Sequence, residues 1–387
     1  MRKILLLVVI GVILMVTISS VAEYKGYQVT QGDVDGAWTV YPLDAHNVIV
    51  VVRPVWKNPW HVSWYRDGEL FRDLTGPTND PVTDSPLIPY PESWDGEHLT
   101  MCYNVVSEEA ESMEEDSGTR RTDRQNAQTY TALWTGNGLE QPSVFTEPRI
   151  GTYQCGRVAV YRDDDGMKIR CDGRETVIPE GVVGDQESIQ NCIPLGKDVY
   201  LLRIMNPDIP EFRAVCVDHG EEEYRIWLAP QVYFQAPDGN GGFFCPDDWP
   251  EGDYSPEILR HYGTDGQIDR SLEIGGNKVV IRFFGSTVDP DNRLCTLYGS
   301  AVANSRKVYT VFALTLDENM NMRSLDVRKI DPAYRDYSPD VYLAQDGTAY
   351  VLINDMKNKP TLRPVLIPFS QMEKSRDDYG IYVSVIR

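Results

Sequence analysis

Helical periodicity is what this sequence has least of. Across 387 residues, no apolar pattern with a helical repeat lasts three turns. The one candidate, "SEEAESMEED" at 107–116, is mostly acid and has no apolar face to bury. Positive charge is also scarce: 37 Lys and Arg stand against 58 Asp and Glu, a net charge of −21. Such a field repels nucleic acid and anionic membrane surfaces and offers no general welcome to polyanions. The motifs that announce common chemistries are missing as well. There is no GxxxxGK[ST] loop, no dinucleotide fingerprint and no GxSxG elbow, so neither nucleotide use nor serine-hydrolase chemistry is expected.

Cysteine and histidine are thinly spread. The seven cysteines (Cys102, Cys155, Cys171, Cys192, Cys216, Cys245 and Cys295) never form a CxxC pair, and the five histidines show no HExxH. No zinc site and no cofactor are expected. Oxygen-rich turns at 161–168, 237–242 and 288–293 do not follow the twelve-residue calcium loop and read as Asp-rich hairpin tips, so no metal is assigned. The cysteines read mainly as small buried residues, with Cys155–Cys171 the one hairpin-scale disulfide to look for.

The chain opens with Arg2 and Lys3, an apolar stretch from Ile4 to Val16, and Ser20 and Ala22 in the −3/−1 relation of a cleavage site. That is the layout of a signal peptide spanning 1–22, too short for the ~20 residues of a membrane span. The expectation is an exported, secreted or cell-surface protein. An uncleaved N-terminal anchor is the alternative. Loss of 1–22 removes two cations and leaves a net charge of −23.

What the chain does have is alternation. "HNVIVVV", "RVAVYR", "DVYLLRI", "KVVIRFF", "KVYTVFALTL" and "TAYVLIN" are short, Val-, Ile- and Tyr-rich runs with period two. Asp67-Gly68, Asn137-Gly138, Asp165-Gly166, Asp265-Gly266 and Asp346-Gly347 divide them as hairpin turns do. This is an all-β pattern. The text also repeats: "YSPDVYLAQDGTAYVL" (337–352) aligns with "LAPQVYFQAPDGNGGFF" (228–244), "YGSAVANSRKVYTVFAL" (298–314) and "YSPEILRHYGTDGQI" (254–268). Units of roughly 40–55 residues, each worth four short strands, predict a single-domain β-propeller over 23–387. About seven blades are expected (six to eight), with a charged loop insertion at about 106–128 and the N-terminal strand lent to the last blade. A β-sandwich is the alternative fold.

"SWYRDGELF" (63–71) and "SWDGEHLT" (93–100) resemble the Asp-box of sialidase-like and related glycosidase propellers, which sits on a blade's outer hairpin, although neither keeps the spacing of Ser, Asp and Gly. The resemblance implies the repeat architecture and no active-site residue.

Candidate sites come from two constellations. "DYSPEI" (253–258) and "DYSPDV" (336–341) place Glu257 and Asp340 in one aligned slot, held in other units by Gln231 and Ala301. Two acids on equivalent blades could converge on a channel mouth as the carboxyl pair of a glycosidase, with His261 or His61 alongside. They could equally be turn punctuation. "PVWKNPWHVSWY" (54–65) sets Trp56, Trp60 and Trp64 at even spacing around His61. These indoles are either platforms for sugar rings or inter-blade packing. Arg120, Arg121 and Arg124, the densest positive cluster, make the insertion either a ligand-binding arm or a solvated, mobile extension. The first functional reading is a monomeric binding module that recognises an extracellular glycan or protein through one propeller face. The second is a glycosidase or polysaccharide lyase. The third is a structural cell-surface protein.

Overall fold

A computed structural model of the chain describes residues 27–28, 36–54, 61–74, 87–105, 129–135, 138–144, 150–155, 158–163, 166–171, 174–184, 187–196, 199–206, 209–218, 225–227, 235–246, 256–289, 291–303, 308–330, 338–344, 346–354 and 365–386. Among these residues the regular structure is antiparallel β, with one 3₁₀ turn at Phe369–Gln371, and no helix is long and apolar enough to cross a membrane. The all-β expectation holds. The helix candidate at 107–116 lies outside the described residues.

The short strand β1 (Tyr27–Gln28) is followed by the first sheet, β2 (Gly36–Pro42), β3 (Asn47–Pro54), β4 (His61–Arg66) and β5 (Glu69–Asp73). The second sheet comprises β6 (Leu87–Trp94), β7 (Leu99–Val105), β8 (Thr129–Thr135) and β9 (Gly138–Val144), and the third β10 (Ile150–Cys155), β11 (Val158–Asp163), β12 (Gly166–Cys171) and β13 (Arg174–Val177). The fourth holds β14 (Ser188–Gly196), β15 (Val199–Asn206), β16 (Ile209–Asp218) and β17 (Arg225–Trp227). The fifth holds β18 (Ala236–Pro237), β19 (Phe243–Pro246), β20 (Glu257–Tyr262) and β21 (Ile268–Gly275). The sixth is β22 (Val279–Asp289), β23 (Leu294–Ala303), β24 (Val308–Asp317) and β25 (Met322–Lys329). The seventh is β26 (Ser338–Leu343), β27 (Ala349–Asn354) and β28 (Val365–Pro368), and β29 (Tyr382–Ile386) ends the chain.

Both ends of the chain pair with sheets distant in sequence. β1 pairs with β28 as the fourth strand of the seventh sheet, as the sequence led us to expect, and β29 adds a fifth strand to the fifth sheet beyond β21.

The runs are apolar without interruption because most sheets are covered on both faces. In β27, Val351 and Ile353 pack toward the sixth sheet, while Tyr350 and Leu352 pack toward the first. In β3, Ile49 and Val51 face the second sheet, while Val48, Val50 and Val52 face the seventh. Alternate side chains of a strand point to opposite faces, so a strand buried on both sides loses its polar positions. The core is thus a series of layers: five lie between sheets consecutive in the chain, and one lies between the seventh and the first. First strands also touch in order: β6 with β10, β10 with β14, β14 with β18, β18 with β22, β22 with β26, and β26 with β2. The first and second sheets meet through β3 and β6, so the order of contacts returns to its start. At that return the Tyr350 hydroxyl donates to the carbonyls of Asp44 (3.1 Å) and Ala45 (2.8 Å), and the Ala45 N–H donates to Asp346 Oδ2 at 2.8 Å.

Each sheet is a meander, so the turns after its first and third strands share one edge, and the connections after its second and fourth share the other. This exposes an aliasing in the repeat. Asp340 lies on the first strand of its sheet, Glu257 on the third of its own and Ala301 on the second, so the aligned slot is not one structural position. First and third strands run in the same direction and both end in an Asp-Gly turn, here Asp346-Gly347 and Asp265-Gly266. The same words therefore serve two different strands.

Cys102, Cys171, Cys192, Cys245 and Cys295 are buried thiols. Cys171 is one of them, so the Cys155–Cys171 disulfide is not formed, and both residues instead flank Val158 in the ladder. These cysteines fill strand positions between sheets.

Candidate functional site

A cleft of about 430 Å³ opens between the fifth and sixth sheets, at the edge of the first-to-second and third-to-fourth turns. Its fifth-sheet wall starts at Asp238. This carboxylate directly follows β18, and its Oδ1 accepts the backbone N–H groups of Asn240 (2.7 Å) and Gly242 (2.9 Å). The glycines of "DGNGG" are required there. Gly239 and Gly241 sit at φ +81° and +90°. A Cβ at Gly242 would lie 2.4 Å from the Tyr262 carbonyl oxygen and 2.9 Å from Asp238 Oδ2.

The other oxygen of Asp238 meets His261. Nε2 of the ring lies 3.0 Å from Asp238 Oδ2, and Nδ1 lies 2.6 Å from Asp269 Oδ1. Phe244 packs against the ring at 5.0 Å between centroids. His261 is only 5% exposed. Burial pulls its pKa down, but the hydrogen bonds and charges of Asp238 and Asp269 outweigh it, and the net shift is upward. Burial pushes the Asp238 carboxyl up, and the bonds from His261 and the hairpin N–H groups outweigh that, leaving it below the usual range. A carboxylate oxygen on each ring nitrogen favours the doubly protonated imidazolium, in which both nitrogens donate. In that form it has no lone pair to offer as a base.

The sixth-sheet wall repeats the hairpin device. Asp317 Oδ1 accepts the N–H groups of Asn319 (2.8 Å) and Asn321 (2.9 Å), and its Oδ2 pairs with Arg323 at 2.6 Å. Glu318 pairs with Arg293 at 2.9 Å. Cys295 lines the same cleft, its thiol pushed up to about 12 by burial, which leaves it unreactive at neutral pH. What remains unspent is Arg270, half-buried and without an ion pair among the described residues, together with the second oxygens of Asp265 and Asp269.

The residues singled out from the sequence are dispersed. Glu257 and His261 share one face of β20, but at opposite ends, so His261 lines the cleft while Glu257 lies toward the other edge. Glu257 is 8% exposed, has no hydrogen bond among the described residues, and burial alone pushes its carboxyl up to about 7. Asp340 is exposed, and the burial around it still moves its carboxyl upward. It lies on the seventh sheet, with the sixth between it and the sheet of Glu257, and it shares the face of Tyr342, which packs toward the first sheet. Glu257 shares the face of Leu259, which packs against the sixth. The two acids therefore face different neighbours and are not brought into one cleft.

His61 begins β4 and is half-buried. Trp64 is fully buried. Its Nε1 donates to Asn47 Oδ1 at 3.0 Å, and its ring meets Trp94 of the second sheet edge-on at 5.4 Å. As a sugar platform Trp64 is corrected: it packs between sheets, because even-numbered positions of β4 face the layer beneath the second sheet. Trp56, Trp60, Arg120, Arg121 and Arg124 lie outside the described residues. Of the Asp-box-like segments, 63–71 spans the hairpin between the third and fourth strands of its sheet, β4–β5, while 93–100 spans the one between the first and second, β6–β7. Asp238, Asp269 and Arg270 were not anticipated. Their only signal was turn text, "PDGNGG" and "DGQIDR", of the kind any hairpin carries.

No family model matches the chain, and no curated protein matches it. Among solved structures, prolyl oligopeptidase B from Galerina marginata, bound to a 35mer hydrolysis and macrocyclization substrate, is similar at 13% identity with a TM-score of 0.33, over 82% of this chain and 38% of that one. A second structure of that protein gives 13% identity and a TM-score of 0.37, over 86% of this chain and 48% of that one. A eukaryotic initiation factor gives 10% identity and a TM-score of 0.37, over 87% and 88%. This chain spans less than half the length of those two oligopeptidase chains. None of these likenesses is close enough to transfer an activity.

Proposed function

We propose that the chain is an exported, seven-bladed β-propeller that works as a glycan-binding module, with the cleft between the fifth and sixth blades as its ligand site. The propeller reading is supported by the cyclic order of contacts and by the N-terminal strand that completes the last sheet. The observation that carries the binding reading is the cleft's division of labour. Most of its polar groups brace the hairpins, and a short set is left over: the Arg270 fork as donor, with carboxylate oxygens of Asp265 and Asp269 as acceptors. Planar donors and acceptors held rigidly suit the vicinal hydroxyls of a sugar, and about 430 Å³ falls in the size range of small-ligand sites. The net charge of −21 favours neutral over anionic glycans.

Residues 23–387, displayed to a panel of neutral and acidic oligosaccharides, should retain neutral ones, and Arg270→Ala should weaken retention at least tenfold. A blank panel, or retention unchanged in Arg270→Ala, sinks this reading. A second reading, a glycosidase or lyase, is favoured by Glu257, whose buried carboxyl near 7 is protonated about half the time at neutral pH, as a general acid needs. Cleavage of a retained oligosaccharide that disappears in Glu257→Gln would establish it.

A further inference from the structure

We propose that His261 is the positioning residue of this cleft: clamped between Asp238 and Asp269, its imidazolium ties the two hairpins of the fifth sheet together and sets where Asp269 and Arg270 stand toward a ligand. This rests on the cleft being the ligand site. The ring joins the end of the first strand to the fourth by way of the third, so one side chain spans the wall of the cleft. The ladder is built for it. His261 pairs with Arg270 and Tyr262 with Ile268, so Asp269 is the extra residue of a β-bulge. A bulge re-aims a side chain, and this one brings the Asp269 carboxylate onto Nδ1. On the other side, Gly242 leaves just the room that the ring and Asp238 occupy, since a Cβ there would stand 3.3 Å from Nε2.

The other charges around the ring are accounted for. Asp265 comes from the β20–β21 turn and Arg270 from β21. Across the cleft, Arg293 and Glu318 pair with each other and Asp317 with Arg323, while the Cys295 thiol stays neutral. Asp238 and Asp269 therefore govern the proton on His261. When that proton leaves as pH rises through the raised folded pKa, one of the two bonds is lost and the hairpins come apart at that point.

Long-range proton–nitrogen NMR on the unliganded full chain tests this. Both ring nitrogens of His261 should carry protons at pH 7, with a midpoint above the ~6.5 of free histidine. The backbone amides of Asn240 and Gly242 and the Nε of Arg270 should shift with that same midpoint, and Asp269→Asn, a change at a half-exposed carboxylate, should lower it. A single-proton ring at pH 7 overturns the clamp. A His261 titration that leaves Asn240, Gly242 and Arg270 unmoved overturns the positioning role. No glycan is in the tube, so a blank glycan panel leaves this result standing, and the reverse also holds.

Discussion

Glu257 and His261 stand four residues apart on one face of β20, 8% and 5% exposed, and they solve the burial of an ionisable group in opposite ways. His261 keeps its charge because two carboxylates reach it. Glu257 has no partner among the described residues, and burial pushes its carboxyl up to about 7. Same strand and same depth do not give the same chemistry. The edge decides: at the His261 end, short hairpins return Asp238 and Asp269 to the ring, whereas the Glu257 end abuts the apolar layer around Leu259 and Ile274. An ion taken out of water is tolerated when partnered and is otherwise neutralised.

The sharpest way to break this contrast is to remove the partnered group. His261→Leu leaves Asp238 buried with Oδ2 unbonded and should cost about 3 kcal/mol, the low end for breaking a buried pair, since Asp269 is half-exposed. Urea unfolding at pH 6 measures it. Closing the space around the clamp comes next: Gly242→Ala drives a Cβ into the Tyr262 carbonyl and should cost roughly 2 kcal/mol, read the same way.

The unpartnered end should respond with the opposite sign. The Glu257 carboxyl titrates near 7 when folded and near 4.3 when unfolded, so its penalty is absent below about 4.3 and grows as pH rises toward 7. Glu257→Gln should therefore stabilise the protein by roughly 3 kcal/mol at pH 8 and make no difference at pH 4, when unfolding is compared at the two pH values. His261 has a raised folded pKa, so its contribution is complete below about 6.5 and is lost as pH climbs through the folded value. Stability of the wild type should fall across both windows, and Glu257→Gln should abolish only the lower one. The smallest effect is expected from Asp269→Asn, below about 1 kcal/mol at pH 6 because that carboxylate is 48% exposed. Its mark should be a shortened upper window in the same pH series.

Much of the fold was legible. Runs such as "HNVIVVV" announce strands covered on both faces, and the even spacing of strands and turns announces a repeat of small sheets. The sequence also led us to expect that the N-terminal strand would join the last sheet, and β1 pairs with β28 there. The site was legible only in pieces. His261 was picked out by residue type but grouped with Glu257, and nothing in one dimension says that a four-residue step along a strand crosses from one edge of a sheet to the other. Trp64 carried the alternation of its strand without saying which face was covered, and the second sheet covers it.

By itself, the sequence determined the local decisions: strands from period two, tight turns from Asp-Gly, the absence of helices among the described residues, and the acidic field. Those depend on neighbours a few residues away. The tertiary structure alone decided which strand is first or third in its sheet, that "DYSP" occurs at two unlike positions, and that Asp238, His261 and Asp269 meet while Glu257 and Asp340 do not. The reason is that strands running in the same direction and ending in the same kind of turn need the same local residues. Their rank in a sheet is set by hydrogen bonds and packing to chain that is distant in sequence.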